Sequence, residues 1–241
     1  MKNKIEELLA VISTKFPEIR ETLPPGASDT AIARIEKETN LPIPQSLKDL
    51  LKITNGDEKW GESPHGFFSY FLYSCNRIIG EYNFFKEHEN QAYPDSVYQK
   101  DLVKNILYSA KRLPFATDGS GQYLCIDYDP AEKGTYGQII YLPCAEPEPV
   151  SVIADSFDDF VDFLIEEYKN DRFYIDDERT EWGEEEWTEW RQDQQSDYSK
   201  VEIVRYGSFD EAYLDLANGR VAAPVRTGRS DCAERAALCC A

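Results

Sequence analysis

The run Leu113–Pro130, LPFATDGSGQYLCIDYDP, limits the possible folds more than any other stretch of this chain. Two apolar segments flank an Asp-Gly-Ser-Gly turn, and GQIIYLP (137–143) follows across a loop containing Gly134. A parallel crossover needs about a dozen residues or more, and no such length separates these segments. They are therefore expected to pair as antiparallel neighbours. A sheet of this kind still needs cover, and the flanking sequence offers helices to supply it.

Residues 2–16 set Ile5, Leu8, Leu9, Ile12 and Phe16 at helical spacing, which predicts a helix with one apolar face. TLPPGAS (22–28) reads as a turn, after which Ser28 and Asp29 can cap a second helix burying Ile32 and Ile35. Asn40 ends it, and Leu41-Pro42-Ile43-Pro44 is an extended connector, because each proline disfavours helix in the residue before it. Pro44 fits the first turn of a third helix that carries Leu47, Leu50 and Leu51 on one face. Asn55-Gly56 is expected to supply the left-handed stop. GFFSYFLY (66–73) reads as strand, RIIGEYNFFKEHENQ as helix around Gly80, and SVYQKDLVKNILYSA (96–110) is ambiguous. In SFDDFVDFLIEEYKN (156–170), Ser156 is a cap with Asp159 three residues on, and Phe157, Phe160, Val161, Leu164 and Tyr168 form a packing stripe. Strands followed by helices that close over them give an α+β class.

The chain has 241 residues and a net charge of −19, unevenly distributed. Between Asp155 and Asp197 there are 17 Asp and Glu against 4 Lys and Arg, whereas residues 198–241 hold 6 of each. Such a field repels nucleic acid and favours basic partners, although acidic surfaces in general more often serve only solubility. No apolar run approaches the roughly 20 residues of a membrane span. Glu6 and Glu7 interrupt the N-terminus early, so a signal peptide is not expected and the chain reads as cytoplasmic. Cys75, Cys125 and Cys144 sit singly in apolar surroundings and read as buried thiols. No CxxC spacing occurs and His65 and His88 are the sole histidines, so neither a metal nor another cofactor is expected.

Taken in order, three motifs resemble the SUKH superfamily of the Smi/Knr type across roughly residues 1–170. The first is Leu41-Pro42 followed by a helix with the Leu50-Leu51 pair and a terminal Asn55-Gly56. The second is Pro114-Phe115, then Asp118, Gly119 and Gly121 in the turn, then a strand ending at Asp127. The third is the closing helix SFDDFVDFLIEEY. Asn40 and Gln122 depart from the family's usual glycine and acid at those places. The resemblance implies a single α+β domain with a mainly antiparallel sheet packed by helices. It also implies a bacterial immunity protein that binds a cognate toxin domain, or, as in fungal relatives, a regulator of wall synthesis and signalling.

Catalytic patterns are weak by comparison. Asp118 and Asp127 flank a glycine turn, but the turn joins strands and no Lys or Arg lies between Pro114 and Ala131 to hold a phosphate. His65 sits in a Pro/Gly loop, where a surface residue is the commoner case. Ser120 lacks the GxSxG spacing of a nucleophile elbow. Binding rests on a different set. Trp182, Trp187 and Trp190 are interleaved with Glu184, Glu185, Glu186 and Glu189, with Asp176 and Asp177 just before and Trp60 as an outlying candidate. If helical, Glu186 and Trp190 share a face. Aromatic anchors in an acidic rim suit a basic protein surface, such as the cleft of a nuclease-type toxin. The competing reading packs the tryptophans on the domain and leaves the acids in water.

The expected organisation is a domain at 1–170, an acidic Trp-rich extension at 171–198 and a tail at 199–241. Residues 200–221 faintly resemble a fragment of a periplasmic amino-acid-binding protein, too short to carry its activity. Cys232, Cys239 and Cys240 in the tail match no known pattern. The expected partner is a basic protein toxin domain, with no nucleic acid and no membrane.

Overall fold

A computed structural model describes residues 4–17, 19–56, 70–89, 101–119, 121–143 and 150–170, together with the backbone of 173–176 and 179–182. In chain order it holds α1 (Lys4–Lys15), α2 (Ile19–Thr22), α3 (Asp29–Thr39), α4 (Gln45–Ile53), β1 (Phe71–Leu72), α5 (Cys75–Glu87), β2 (Arg112–Thr117) and β3 (Tyr123–Asp127). Next come β4 (Gln138–Leu142), β5 (Ser151–Ala154), α6 (Phe157–Lys169), β6 (Phe173–Asp176) and β7 (Arg179–Trp182). Strands β1 to β5 form one antiparallel sheet in sequential order, and β6 and β7 form a separate hairpin. The class is α+β.

Local signals set the helix ends. Ser28 Oγ accepts from the Ala31 N–H at 3.2 Å and Ser156 Oγ from the Asp159 N–H at 3.1 Å, each satisfying an otherwise orphaned first-turn donor. Asn40 adopts the left-handed conformation at φ 55° and closes α3, as Asn tolerates without a glycine. Asn55-Gly56 behaves differently from the expectation. Helix α4 already ends at Thr54, which is extended at φ −142°. Asn55 Oδ1 accepts from the Cys75 N–H at 3.0 Å, so this residue ties the end of α4 to the start of α5. Gly56, at φ 63°, lies so close to β1 that a Cβ would sit 2.4 Å from the Leu72 carbonyl oxygen. The pair is a joint between layers rather than a helix stop.

Alternation along the strands divides the sheet's two faces. Leu113, Phe115, Leu124, Ile126, Ile139 and Tyr141 face the main core with Leu8, Leu9, Leu50, Phe160 and Leu164 from the helices. Phe115 meets Phe157 and Phe160 edge-on at 5.3 and 5.9 Å. The other face carries a smaller cluster of Cys125, Ile140, Leu142, Val150 and Val152, covered by Phe85 of α5 and by Val103 and Leu107. Of the segment 96–110, left ambiguous by the sequence, residues 96–100 lie outside the described residues, and 101–110 with Lys111 form a non-helical strap over this face. Pro114 stands in an inner strand because the β2–β3 register shifts between Pro114 and Ala116, a bulge that relieves the missing donor.

Candidate functional site

The carboxylates of the glycine turn do not form a pair. Thr117 registers with Tyr123 and Arg112 with Asp127, so Asp118 and Asp127 lie at opposite ends of β3. At about 3.3 Å per residue this separation is on the order of 15 Å, too far to act on one substrate atom. Asp118 Oδ1 accepts from the Gln122 N–H at 3.1 Å and closes its own turn, with Gly119 and Gly121 at φ 87° and 101°. Gln122 Oε1 accepts from the Tyr141 hydroxyl.

Asp127 belongs to a buried polar node. It is 0% exposed and Arg112 is 1% exposed, with Arg112 Nε 3.7 Å from Asp127 Oδ1. Asp127 also accepts from the Asp129 N–H and from Gln138 Nε2, both at 3.1 Å. The Arg112 guanidinium donates to the carbonyls of Ile106, Leu107 (3.2 Å) and Lys104 (3.0 Å), while Gln138 Nε2 donates to the Leu102 carbonyl at 2.9 Å. A buried pair stabilises only when its remaining hydrogen-bonding capacity is met, and the strap's carbonyls meet it. These groups are spent on folding.

A second polar group lies between α5 and the tip of the β2–β3 hairpin, and sequence reasoning missed it. Arg77 Nε is 3.7 Å from Glu81 Oε1, and the Arg77 guanidinium lies 5.0 Å from the Tyr73 ring centroid. Burial raises the Glu81 carboxyl above the usual carboxylate range, against the lowering effects of Arg77 and of a hydrogen bond with Tyr123. Burial likewise pushes the Tyr73 hydroxyl and the Cys125 thiol well up, so Cys125 is a poor nucleophile. The Arg77–Glu81 spacing of four on a helix was the available signal.

The expected site residues fall in three places. Leu41, Leu50, Leu51 and Phe115 are core, and Pro42 is exposed with its carbonyl accepting from the Tyr128 hydroxyl. Asp176 and Trp182 are strand residues whose backbones pair with Arg179 and Phe173. These two residues thus belong to the paired strands β6 and β7, and the residues for which a helical face was considered, Glu186, Trp187 and Trp190, follow them in the chain. Asp177, Glu184, Glu185, Glu186, Trp187, Glu189, Trp190 and Trp60 lie outside the described residues, as do His65 and Ser120. The acids of α6 are partly engaged locally. Lys4 Nζ sits 2.6 Å from Asp162, Lys169 Nζ sits 3.2 Å from Glu166, and Ser156 Oγ donates to Asp159. The large apolar side chains left exposed among the described residues are Phe84, and Tyr136 at 64% against the Tyr128 ring.

Among the described residues no group of His, Cys, Asp and Glu is placed to hold a metal ion, and no helix is long and apolar enough to cross a membrane.

Comparison with known proteins gives the arrangement a context. The model of the SMI1/KNR4 family (SUKH-1) matches residues 26–162. A glucan synthesis regulatory protein of Neurospora crassa is 24% identical over 242 residues, an alignment that covers 85% of this chain and 44% of that protein. The chain therefore spans less than half the length of that relative. An alignment over 85% of the chain extends beyond the residues that the family model matches. The family model covers more than half of the chain, including both the Leu41–Gly56 joint and the Asp118 turn, and the chain belongs to the SMI1/KNR4 (SUKH-1) family.

Proposed function

We propose that the chain works by binding a protein partner, without catalysis and without a cofactor, as a regulator of glucan synthesis. The observation that carries this is the likeness to the Neurospora crassa regulator over 85% of the chain. The geometry agrees with a binding role. The buried node of Asp127 and the Asp118 turn are both consumed by structure. In this reading the domain is a rigid scaffold and residues 171–198 are its working surface. Asp176, Asp177, Glu184, Glu185, Glu186 and Glu189 form an acidic rim around Trp182, Trp187 and Trp190, with Trp60 as a further contact. The partner surface is basic, since like charge would be repelled and opposite charge speeds encounter. Nucleic acid and membrane have no part in it.

The second reading is an immunity protein that neutralises a basic, nuclease-type toxin domain in the cytoplasm. The charge distribution favours it, because 17 acids against 4 bases in 155–197 would mimic the polyanion such a toxin normally binds. Affinity capture of the tagged full-length chain from its source organism, after cross-linking, separates the two. Recovery of glucan-synthesis components is the expected result. Recovery of the C-terminal domain of a secreted toxin would overturn the first reading in favour of the second.

A further inference from the structure

The two faces of the sheet are covered by unlike means. Helices cover the main face, whereas the other is covered by Phe85 of α5 together with residues 101–111, which have no helix or strand of their own. An extended cover has few backbone bonds internal to itself, so it must be held from outside. Glu89 accepts from the Ala110 N–H at 3.3 Å and the Tyr128 N–H reaches the Lys111 carbonyl at 2.9 Å, but the side chain that gathers most of its carbonyls is Arg112. Arg112 donates to the carbonyls of Lys104, Ile106 and Leu107, and Gln138 holds the Leu102 carbonyl. Ala131 N–H also reaches the Leu102 carbonyl at 3.1 Å, and Lys133 N–H reaches the Asp101 carbonyl at 2.7 Å. Two exposed ion pairs, Lys104–Asp129 and Lys133–Asp101, lie at the margin, where water and salt weaken them.

The apolar contribution of the strap is small. Val103 and Leu107 are its fully covered side chains, and Leu102 and Tyr108 are partly covered. Its first residue, Asp101, has φ 72°, a conformation that non-glycine residues adopt at some cost. A segment with few buried apolar groups, a strained entry and one dominant anchor fits a unit that opens below the global unfolding limit.

We propose that residues 101–111 open as one unit from the second face of the sheet, with Arg112 as the latch, while the helix-covered core stays folded. Opening removes Val103 and Leu107 from the cluster that buries Cys125, but leaves Cys75, in the main core, protected.

These two buried thiols, Cys125 at 0% and Cys75 at 2% exposure, read the proposal directly. The full-length chain is treated with excess N-ethylmaleimide across low urea concentrations, and each site is followed by mass spectrometry. Cys125 is expected to react about tenfold or more faster than Cys75, with a rate nearly flat in urea while that of Cys75 climbs. Equal rates with one urea dependence, or a slower Cys125, would overturn the proposal, because only global unfolding would then expose it. Arg112→Lys sharpens the test, since a lysine keeps the charge beside Asp127 but cannot span three carbonyls as the planar guanidinium does. The variant should speed Cys125 by about a further tenfold and change Cys75 by less than about twofold. An equal rise at both sites would remove Arg112 as the latch. If the variant does not fold, the wild-type comparison still decides.

Discussion

The helix-covered face and the strap-covered face of the sheet solve the same problem with different materials. On the first, Phe115 packs between Phe157 and Phe160, and cover is continuous apolar contact along α1, α4 and α6. On the second, a short apolar cluster is completed by a loop whose carbonyls are gathered by one buried guanidinium. Apolar packing is non-directional and spread over many atoms, so losing one contact leaves the rest. A polar node is directional and concentrated, so it fixes one geometry and fails at one residue. The first face gives the domain its stability. The second gives it a defined loop surface that helix packing alone would not provide.

The contrast can be broken by substitution. Phe115→Ala should have the largest effect, lowering unfolding free energy by about 3–5 kcal/mol, because the helices around the vacated site cannot collapse into it. Leu107→Ala should cost less, about 2 kcal/mol, because a strap can settle where a helix cannot. Urea melts of both variants check the order, and equal losses would erase the distinction between the faces. Gly56→Ala tests the joint between the layers. A Cβ would meet the Leu72 carbonyl oxygen at 2.4 Å in a left-handed conformation, and a loss of about 1–3 kcal/mol is expected. A neutral result there would show that α4 and β1 are not rigidly coupled.

The smallest effect concerns Glu81, whose carboxyl is raised by burial. When the folded-state pKa lies above the unfolded one, the unfolded chain loses its proton first as pH rises. Folding is then opposed above the ordinary glutamate range and unopposed below it. Glu81→Gln should therefore raise the urea midpoint slightly at pH 7 and lose that advantage at low pH, where both states hold the proton. A variant less stable at pH 7 would mean that the Arg77 and Tyr123 contacts outweigh the burial cost.

Much of the first face was legible because its determinants are local. Ser28, Asn40 and Ser156 announce helix ends within four residues of the groups they satisfy, and the stripe of Phe157, Phe160 and Leu164 repeats at helical spacing. The order β2, β3, β4 followed from short connections alone. The second face was not legible, because its organising contacts reach across the chain. Arg112 reads as one more charge before Leu113-Pro114, and only the fold brings Asp127 and Gln138 beside it. Strand β5 begins within the proline-bearing CAEPEPVSV, and its four residues carry too little pattern to distinguish strand from connector. The hairpin at 173–182 hid for a related reason. The residues between its strands in the sequence, Asp177-Glu178, include neither the glycine nor the asparagine that signals a hairpin. For the candidate site, the sequence already favoured a structural role for Asp118 in its own turn, and the register that separates it from Asp127 agrees.

The central claim is that this family domain acts by binding, with the acidic segment as its working surface. Parallel cross-linked capture with the wild-type chain and with Glu184→Lys, Glu185→Lys, Glu186→Lys combined tests it most directly, scored against a matched melting temperature for the two proteins. The account predicts that glucan-synthesis proteins are recovered with the wild type and lost with the charge-reversed chain at unchanged thermal stability. Equal recovery by both chains would contradict it.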